Sequence, residues 1–257
     1  MTCKVTDPDG VASVTLAYQV VTPGGYIPAT LPLTTAQLNN LNNVPMTNAL
    51  NPAFENPANW TTVVMHDDGL NGDAVAGDDT YSVLLPQQAH RTLVRYRTTC
   101  TDLLGAARRA PFEDDPSLNF AYFVYDGVPN YLGFSAASLQ TLPIFTLVTR
   151  DADLPQCTAW SNTADQMTTQ VINGQKNEGR FHFNWEGAMI YDGEVYDHIH
   201  YRLRGANGRY HPGKRSIRYK FNDGRLLRAK DQYGNRFPTK WRELTTGKGQ
   251  SNRGGEQ

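Results

Sequence analysis

The run VYDHIHYRLR at Val195–Arg204 decides the fold of the C-terminal half, because its apolar residues recur at alternate positions. Such alternation predicts a β-strand. The run 180–190 precedes it across Asp192-Gly193, a dipeptide that favours a two-residue hairpin turn. The run 214–221 follows it. Together the three runs predict a three-stranded antiparallel meander.

The two faces of this predicted sheet differ in charge. Alternate positions of the run 195–204 are apolar, with Asp197 among them, and the positions between are mostly basic. The run 214–221 repeats the pattern. We expect the apolar face to be buried and the basic face to be exposed. The basic face comprises Tyr196, His198, His200, Arg202, Arg204, Lys214, Ser216, Arg218 and Lys220.

A glycine-containing loop, residues 205–213, joins the last two runs, with Arg204 at its start and Arg209 inside it. Backbone N–H groups of such turns form a cradle for anions, and guanidinium groups match phosphate oxygens. The pattern therefore favours a phosphate site, although a simply solvated basic face has the same composition. A metal site at His198 and His200 is the weaker alternative, because no third ligand is evident nearby.

The sequence of the N-terminal half predicts short strands separated by turns. Apolar residues alternate at Val14, Leu16 and Tyr18, and Pro23 then ends the run. This pattern predicts a β-sandwich of the immunoglobulin or fibronectin kind. We expect the segment 33–60, rich in Asn, Thr and Pro, to be a surface excursion. Further strands are predicted at 61–65, 80–85, 92–99 and 120–125.

The cysteines leave two possibilities open. Cys3 lies in an early predicted strand and Cys100 ends a later one. Early and late strands of immunoglobulin-like sandwiches face each other across the core, where a disulfide often joins them. Two buried free thiols are the alternative, since Cys packs well as a small apolar group. Cys157 is unpaired in either case, which weakens the argument for an oxidising compartment.

The segment Asp67–Asp79 is rich in Asp and Gly, and a Ca²⁺ site is one interpretation of this composition. Its spacing does not match the EF-hand loop. We expect an acidic turn that joins two strands without a high-affinity Ca²⁺ site, because Asx side chains cap turns without any ion.

The charge of the chain is divided unevenly over its 257 residues. Residues 1–175 contain 7 Lys and Arg against 16 Asp and Glu, a net charge of −9, whereas residues 176–257 carry +8. Opposite signs suggest two parts with different partners, or a basic surface that docks on its acidic neighbour. No apolar run is long enough for a membrane helix, and the first residues do not resemble a signal peptide.

The basic loop and strand resemble the spore-coat CotH family. The runs YRLRGANGR at Tyr201–Arg209 and KRSIRYKF at Lys214–Phe221 look like the family's Arg-Gly-Asn-type loop and the Lys-Lys/Arg-Ser strand after it. The acidic half resembles the sandwich domain that often precedes this module in secreted bacterial proteins. Other similar segments are Asp231–Asn235, Lys240–Leu244, Asp7–Val14 and Asp78–Tyr81.

The resemblance implies an atypical protein kinase that transfers phosphate from ATP, with Mg²⁺, to Ser or Thr of coat or surface proteins. It places Lys214 and Arg215 against the phosphates. The loop departs from the family at Ala206-Asn207-Gly208, which removes a hydroxyl. The Mg²⁺-binding and catalytic acidic residues are expected outside this chain, which then is an inactive excerpt of a longer protein. The loop residues assigned by the resemblance are Arg204, Gly205, Asn207 and Arg209.

We therefore predict a mainly β chain in four parts. They are an Ig/fibronectin-like β-sandwich at 1–126, a linker at 127–141, a truncated α+β kinase-like N-lobe with an antiparallel sheet at 142–245, and a flexible tail at 246–257. The expected partners are a nucleotide and a protein substrate, at the cell or spore surface or outside the cell. A non-catalytic surface or adhesion module with a basic docking face is the alternative. Nucleic-acid binding is weaker, since no recognised motif appears.

Overall fold

A computed structural model of the chain describes residues 1–38, 47–159, 171–172, 175–176, 182–204 and 216–247. The fold is mainly β with antiparallel sheets, which confirms the predicted class. No helix in these ranges is long and apolar enough to cross a membrane. Contacts divide the chain into two units. Unit 1 is Met1–Pro23, Glu55–Ile144 and Asp192–Val195, and unit 2 is Gly24–Phe54, Phe145–Tyr191 and Tyr196–Gln257.

Unit 1 contains a five-stranded antiparallel sheet and a separate two-stranded one. In the larger sheet the order is β3-β2-β5-β6, and β7 pairs with β5 beside β6. In the smaller sheet β1 pairs with β4. The alternating run at Val14 and Leu16 is a strand whose apolar side chains are buried, as predicted. The strands are β1 Thr2–Lys4, β2 Val11–Val21, β3 Thr61–Met65, β4 Thr80–Ser82, β5 Leu93–Asp102, β6 Ala107–Ala110 and β7 Phe120–Phe123.

Unit 2 contains a second five-stranded antiparallel sheet, in the order β14-β13-β12-β11-β8. Its central strands form the predicted meander. The turn between β11 and β12 has positive φ at Asp192 (53°) and Gly193 (73°), as the Asp-Gly dipeptide favours. The strands are β8 Phe145–Val148, β9 Val171–Ile172, β10 Gln175–Lys176, β11 Trp185–Tyr191, β12 Glu194–Leu203, β13 Ile217–Lys220 and β14 Glu243–Thr245; β9 and β10 pair separately.

Helices are short throughout the described residues. Asp153 begins the longest of them, and its buried carboxylate pairs with Arg150. The helices are α1 Thr35–Leu38, α2 Pro52–Glu55, α3 Ala136–Leu139 and α4 Asp153–Ala159, with a 3₁₀ turn at Pro57–Asn59.

Gly24–Phe54 groups with unit 2, although the sequence analysis places it in the first domain, with its residues from 33 onward in a surface excursion over 33–60. Its backbone is bound by side chains of β11 and the residues just before it. Asn184 accepts a hydrogen bond from Leu33 N–H (2.6 Å) and donates one to Leu33 O (3.1 Å). Leu38 lies in the apolar core of unit 2. The expectation of a surface excursion fails because these partners are more than 150 residues away in sequence.

Strand β12 is buried on both faces, contrary to the prediction of an exposed basic face. Tyr196, His198 and Arg202 are each less than a tenth exposed. His198 has a φ of 55°, and this left-handed residue interrupts the alternation, so that Tyr196 and Ile199 lie in the same core cluster. The prediction was wrong because strict alternation assumes an extended backbone at every residue.

Candidate functional site

The predicted phosphate loop connects two neighbouring antiparallel strands. Arg204 follows β12 and is exposed, and its N–H donates to the backbone oxygen of Ser216, 2.9 Å away, just before β13. This bond brings together the two ends of the connection 205–215. Arg204 is the one predicted site residue within the described ranges. The other five, Gly205, Asn207, Arg209, Lys214 and Arg215, lie outside them.

Cationic side chains of β12 and β13 share one face of the sheet next to this connection. Arg202 lies directly opposite Arg218, and His200 opposite Lys220. The Arg202 guanidinium is buried over the Phe183 ring, 5.0 Å from its centroid. Arg218 donates from Nε to Glu243 on β14 (2.5 Å). Four Lys and Arg side chains of the predicted basic face lie within the described residues, and the name basic face is kept below for these four alone. They are partly buried and partly neutralised. They are Arg202, Arg204, Arg218 and Lys220.

Two histidines beside this face lose their protons more readily than a free imidazole, because burial lowers the pKa of each. Burial lowers the pKa of His200, and the charges of His198 and Lys220 lower it further against the opposing effect of Glu186. Burial also lowers the pKa of His182, with a contribution from His200. Neutral imidazoles accept as well as donate hydrogen bonds. His182 Nε2 lies 2.6 Å from Oδ1 of Asn48.

Beneath the basic face lies a buried carboxylate that the sequence analysis missed. Glu186 on β11 is 2% exposed. Its Oε1 accepts hydrogen bonds from Ala29 N–H (2.8 Å) and from Nδ1 of His198 (2.7 Å). Its Oε2 accepts from the N–H (2.9 Å) and the hydroxyl (2.8 Å) of Thr30. Both oxygens are fully used, so Glu186 acts as an anchor for Gly24–Phe54 rather than as a proton-transfer group.

The ionised state of Glu186 follows from these contacts. Burial opposes ionisation and raises the pKa. The hydrogen bond from His198, the charges of His198 and His200, and the Ala29 N–H together outweigh burial and lower the pKa to about 2. The carboxylate is therefore charged throughout the neutral range, and His198 is its principal stabilising partner.

Asp197 completes this network on the other side of His198. Its Oδ1 accepts hydrogen bonds from the Tyr26 hydroxyl (2.8 Å) and from His198 N–H (2.9 Å). Its Oδ2 lies 3.5 Å from Nε2 of His198. The Phe54 ring meets the imidazole edge-on at 5.1 Å. One sign of this network is visible in the sequence, because Glu186 and Asp197 are acidic residues among apolar neighbours in predicted strands. The alternating pattern of those strands could not show which residues they bind.

Carboxylate groups with metal-ligand spacing occur elsewhere in the described residues, in unit 1. One group is Asp7, Asp9 and Asp102, and the other lies in the acidic turn. That turn joins β3 to β4, as predicted. Asp67 accepts hydrogen bonds from the N–H groups of Gly77, Asp78 and Asp79. The carboxylates thus hold the turn itself. The second group consists of Asp67, Asp73 and Asp78.

All three cysteines are free thiols, so the disulfide between Cys3 and Cys100 is not formed in the structure. The alternative of free thiols applies, although Cys3 and Cys100 are half-buried rather than buried. Cys3 Sγ lies 3.7 Å from Sδ of Met65, and Cys100 Sγ lies 3.6 Å from the backbone oxygen of Arg108. Cys157 on α4 is fully buried in unit 2.

Comparison with known proteins identifies no relative. No family model, no curated protein and no solved structure matches the chain. The resemblance to the CotH family therefore stays a prediction.

Proposed function

We propose that residues 142–245, which form most of unit 2, are the nucleotide-binding lobe of a CotH-type atypical protein kinase, and that unit 1 is an Ig/fibronectin-like β-sandwich. The parent activity in this proposal is transfer of phosphate from ATP, with Mg²⁺, to Ser or Thr of coat or surface proteins. The location is extracellular or at the cell or spore surface. This chain binds nucleotide and does not itself transfer phosphate.

The hydrogen bond between Arg204 and Ser216 is the observation that supports the proposal most directly. It joins Arg204 and Ser216, the described residues on either side of 205–215, at the ends of the adjacent antiparallel strands β12 and β13. This stretch, GANGRYHPGKR, contains glycines and three cations. Protein kinases cover ATP phosphates with a glycine-rich loop and contact them with a lysine on a following strand. The order of loop and Lys214 in this chain is the same.

The electrostatics of the adjoining strands favour the same ligand. The basic face contributes four cations, and among the described residues of β13 and β14 Glu243 is the carboxylate that pairs with it. An excess of positive charge beside a loop raises the local concentration of polyanions such as nucleotide triphosphates. Because Arg202 is buried, its charge acts in a medium that screens it less than water does.

Calorimetric titration of the full chain with ATP, with and without Mg²⁺, tests the proposal. Lys214→Ala should weaken ATP binding by about 1–3 kcal/mol, the range for a hydrogen bond to a charged group. Lys248→Ala, which removes the same charge from the predicted tail, is the matched control and should leave the affinity unchanged. Equal losses in both variants would show diffuse charge attraction and contradict a site. Phosphate transfer by the chain alone would contradict its assignment as half of the enzyme.

A second candidate is a non-catalytic surface or adhesion module whose basic face docks on an acidic partner. The ion pair between Arg218 and Glu243 favours it, because that face already accepts a carboxylate. An acidic peptide that binds at least as tightly as ATP and competes with it would support this candidate. Nucleotide binding that the peptide does not displace would support the kinase lobe.

A further inference from the structure

Three large apolar side chains are exposed together on a tight turn of unit 1. Tyr131 is 64% exposed, Leu132 78% and Phe134 61%. They lie in the region 127–141, which the sequence predicts to be a linker. Single exposed apolar residues are ordinary, whereas a contiguous group marks a contact with a membrane or another molecule. We call Tyr131, Leu132 and Phe134 the apolar turn.

The backbone holds these side chains in a fixed arrangement. Tyr131 N–H donates to the backbone oxygen of Phe134 (3.0 Å), and Phe134 N–H donates to that of Tyr131 (2.9 Å). Leu132 and Gly133 have φ values of 48° and 81°, the two positive values of a type I′ turn. The reciprocal bonds place the Tyr131 and Phe134 side chains on one face of the ribbon. A contact made through this preorganised turn therefore costs little conformational entropy.

Leucine is an unfavourable residue at position 132. The first central position of a type I′ turn favours Asn, Asp or Gly, which tolerate the left-handed region, and a bulky residue there is an outlier. Leu132 is also largely exposed, so packing within the chain does not offset the cost. Residues held in unfavourable backbone conformations are concentrated at functional sites. A contact outside the chain accounts for a leucine at this position.

The sequence around the apolar turn carries no charge. Residues 127–149 contain no Lys, Arg, His, Asp or Glu. Their polar side chains are amides and hydroxyls, and Asn130 Oδ1 accepts a hydrogen bond from Ala136 N–H (2.7 Å). The backbone N–H and C=O groups of Tyr131 and Phe134 are already paired with each other. Insertion of the turn into an apolar medium therefore takes no charge out of water and leaves these backbone groups satisfied.

We propose that the apolar turn inserts into the boundary between headgroups and acyl chains of a zwitterionic lipid bilayer. Leu132 and Phe134 supply apolar side chains, and Tyr131 combines an apolar ring with a hydroxyl, as is typical of residues at membrane interfaces. A bilayer deforms around an exposed turn and needs no complementary pocket. Anionic lipid is not required, because the turn has no basic residue to attract it.

Attachment through one turn is weak and reversible. A single myristoyl chain binds membranes with a constant of about 10⁴ M⁻¹, and three partly inserted side chains should bind less tightly. Half-saturation is therefore expected above about 0.1 mM lipid. The anchor does not depend on the proposed nucleotide function, because it involves only residues of unit 1.

Flotation of the full chain with phosphatidylcholine vesicles at about 1 mM lipid tests the anchor. The chain should float with the vesicles equally well in about 1 M salt, where charges are screened beyond about 3 Å. Leu132→Asn should lower the partition coefficient about tenfold, near the lower end of what burial of one leucine side chain contributes. Because Asn suits the left-handed position, this variant should melt at the same temperature as the unsubstituted chain or higher. Lost binding is thereby separated from a lost fold.

Leu104→Asn is the matched control. Leu104 is also 78% exposed and lies in the turn between β5 and β6. That turn follows Asp102, whereas β7, which leads to the apolar turn, pairs with the opposite end of β5. The control should leave partitioning unchanged. Equal losses in both variants would show unspecific apolar adsorption and overturn the proposal, as would failure of the unsubstituted chain to float.

Fluorescence of Tyr131→Trp tests whether the turn itself enters the bilayer. After subtraction of the unsubstituted chain, its emission should shift to the blue with vesicles, and lipids brominated on their acyl chains should quench it. Unshifted emission would overturn the proposal. Binding that needs anionic lipid and disappears in high salt would assign attachment to the basic face and also overturn it. A dimer that Leu132→Asn disrupts, in place of vesicle binding, would assign the turn to a second copy of the chain instead.

Discussion

Nδ1 of His198 lies 2.7 Å from Oε1 of Glu186, and both side chains are almost completely buried. Taking an ionised carboxylate out of water is costly, and it is tolerated only when charge and hydrogen bonds compensate. His198 supplies the charge-assisted bond, and Thr30 and Ala29 supply the rest. The pair therefore connects the centre of the unit 2 sheet to a segment from the opposite end of the sequence.

Glu186→Gln should lower the free energy of unfolding of unit 2 by about 1–3 kcal/mol, as expected when buried hydrogen-bonding groups lose their partner. The amide cannot accept all the hydrogen bonds that the carboxylate accepts. Glu243→Gln is a matched control, because its pair with Arg218 is partly exposed; it should cost less than about 1 kcal/mol. Urea unfolding of both variants measures the difference, and equal costs would argue against the anchor.

Acid should remove the contribution of Glu186 in a defined range. Its pKa is depressed from 4.5 to about 2, so the unfolded chain binds this proton first as the pH falls. The stabilisation is complete above about pH 4.5 and is lost as the pH approaches 2. Urea midpoints measured across this range should fall steeply in the wild-type chain and less steeply in Glu186→Gln. Parallel profiles would contradict the assigned depression.

A second pH dependence begins at higher pH. The pKa values of His200 and His182 lie below the ordinary 6.5, mainly because of burial. Below pH 6.5 the unfolded chain takes up protons that the folded chain does not, so stability falls as the pH falls. His200→Gln should flatten the stability profile between pH 6.5 and 4.5. Urea unfolding measures the profile, and an unchanged slope in His200→Gln would contradict the lowered pKa of that residue.

Gly187→Ala should destabilise the contact between β8 and β11. A Cβ at Gly187 would lie 2.7 Å from the backbone oxygen of Val148, and a backbone atom cannot move aside cheaply. We expect a loss of about 1–3 kcal/mol, as for overpacking of a core. At Gly247 nothing lies within 4 Å of an added Cβ, so Gly247→Ala should be nearly neutral. Thermal unfolding of the two variants provides the comparison, and similar melting temperatures would refute the expected clash.

Replacing residues 24–54 by a short flexible linker should destabilise unit 2 while leaving the β2 and β5 ladder of unit 1 protected. The segment supplies the partners of Glu186, Asn184 and Asp197, and their loss exposes or orphans buried polar groups. Hydrogen exchange read by mass spectrometry should show faster exchange in β11 and β12. Unchanged protection there would mean that unit 2 folds without the segment.

Local patterns were sufficient to predict the hairpin and most of the longer strands, whereas short strands such as β6 and β14 were not predicted. Alternation at Val14 and Leu16, and the Asp192-Gly193 dipeptide, each act over a few residues and therefore leave a trace in the sequence. The buried network did not leave one. The left-handed conformation of His198 depends on Glu186 and Asp197 around it, and a strand pattern contains no sign of such a conformation.

The candidate site was likewise predictable from the sequence only in part. The glycines and cations of residues 205–215 are visible in the sequence, and the hydrogen bond between Arg204 and Ser216 on either side of them continues the pairing of β12 with β13. The burial of Arg202 was not predictable, because the Phe183 ring that covers it precedes β11 and reaches it only through the folded sheet.

The bond between Ala29 and Glu186 spans 157 residues, and this separation has a consequence for biosynthesis. A ribosome adds about 5–20 residues per second, so the segment around Ala29 emerges roughly 8–30 s before its carboxylate partner exists. During that interval its backbone donors have only water to bind. The segment around Ala29 therefore belongs to a structure that is completed only after a long stretch of later sequence has been translated, and until then it depends on solubility rather than on early folding.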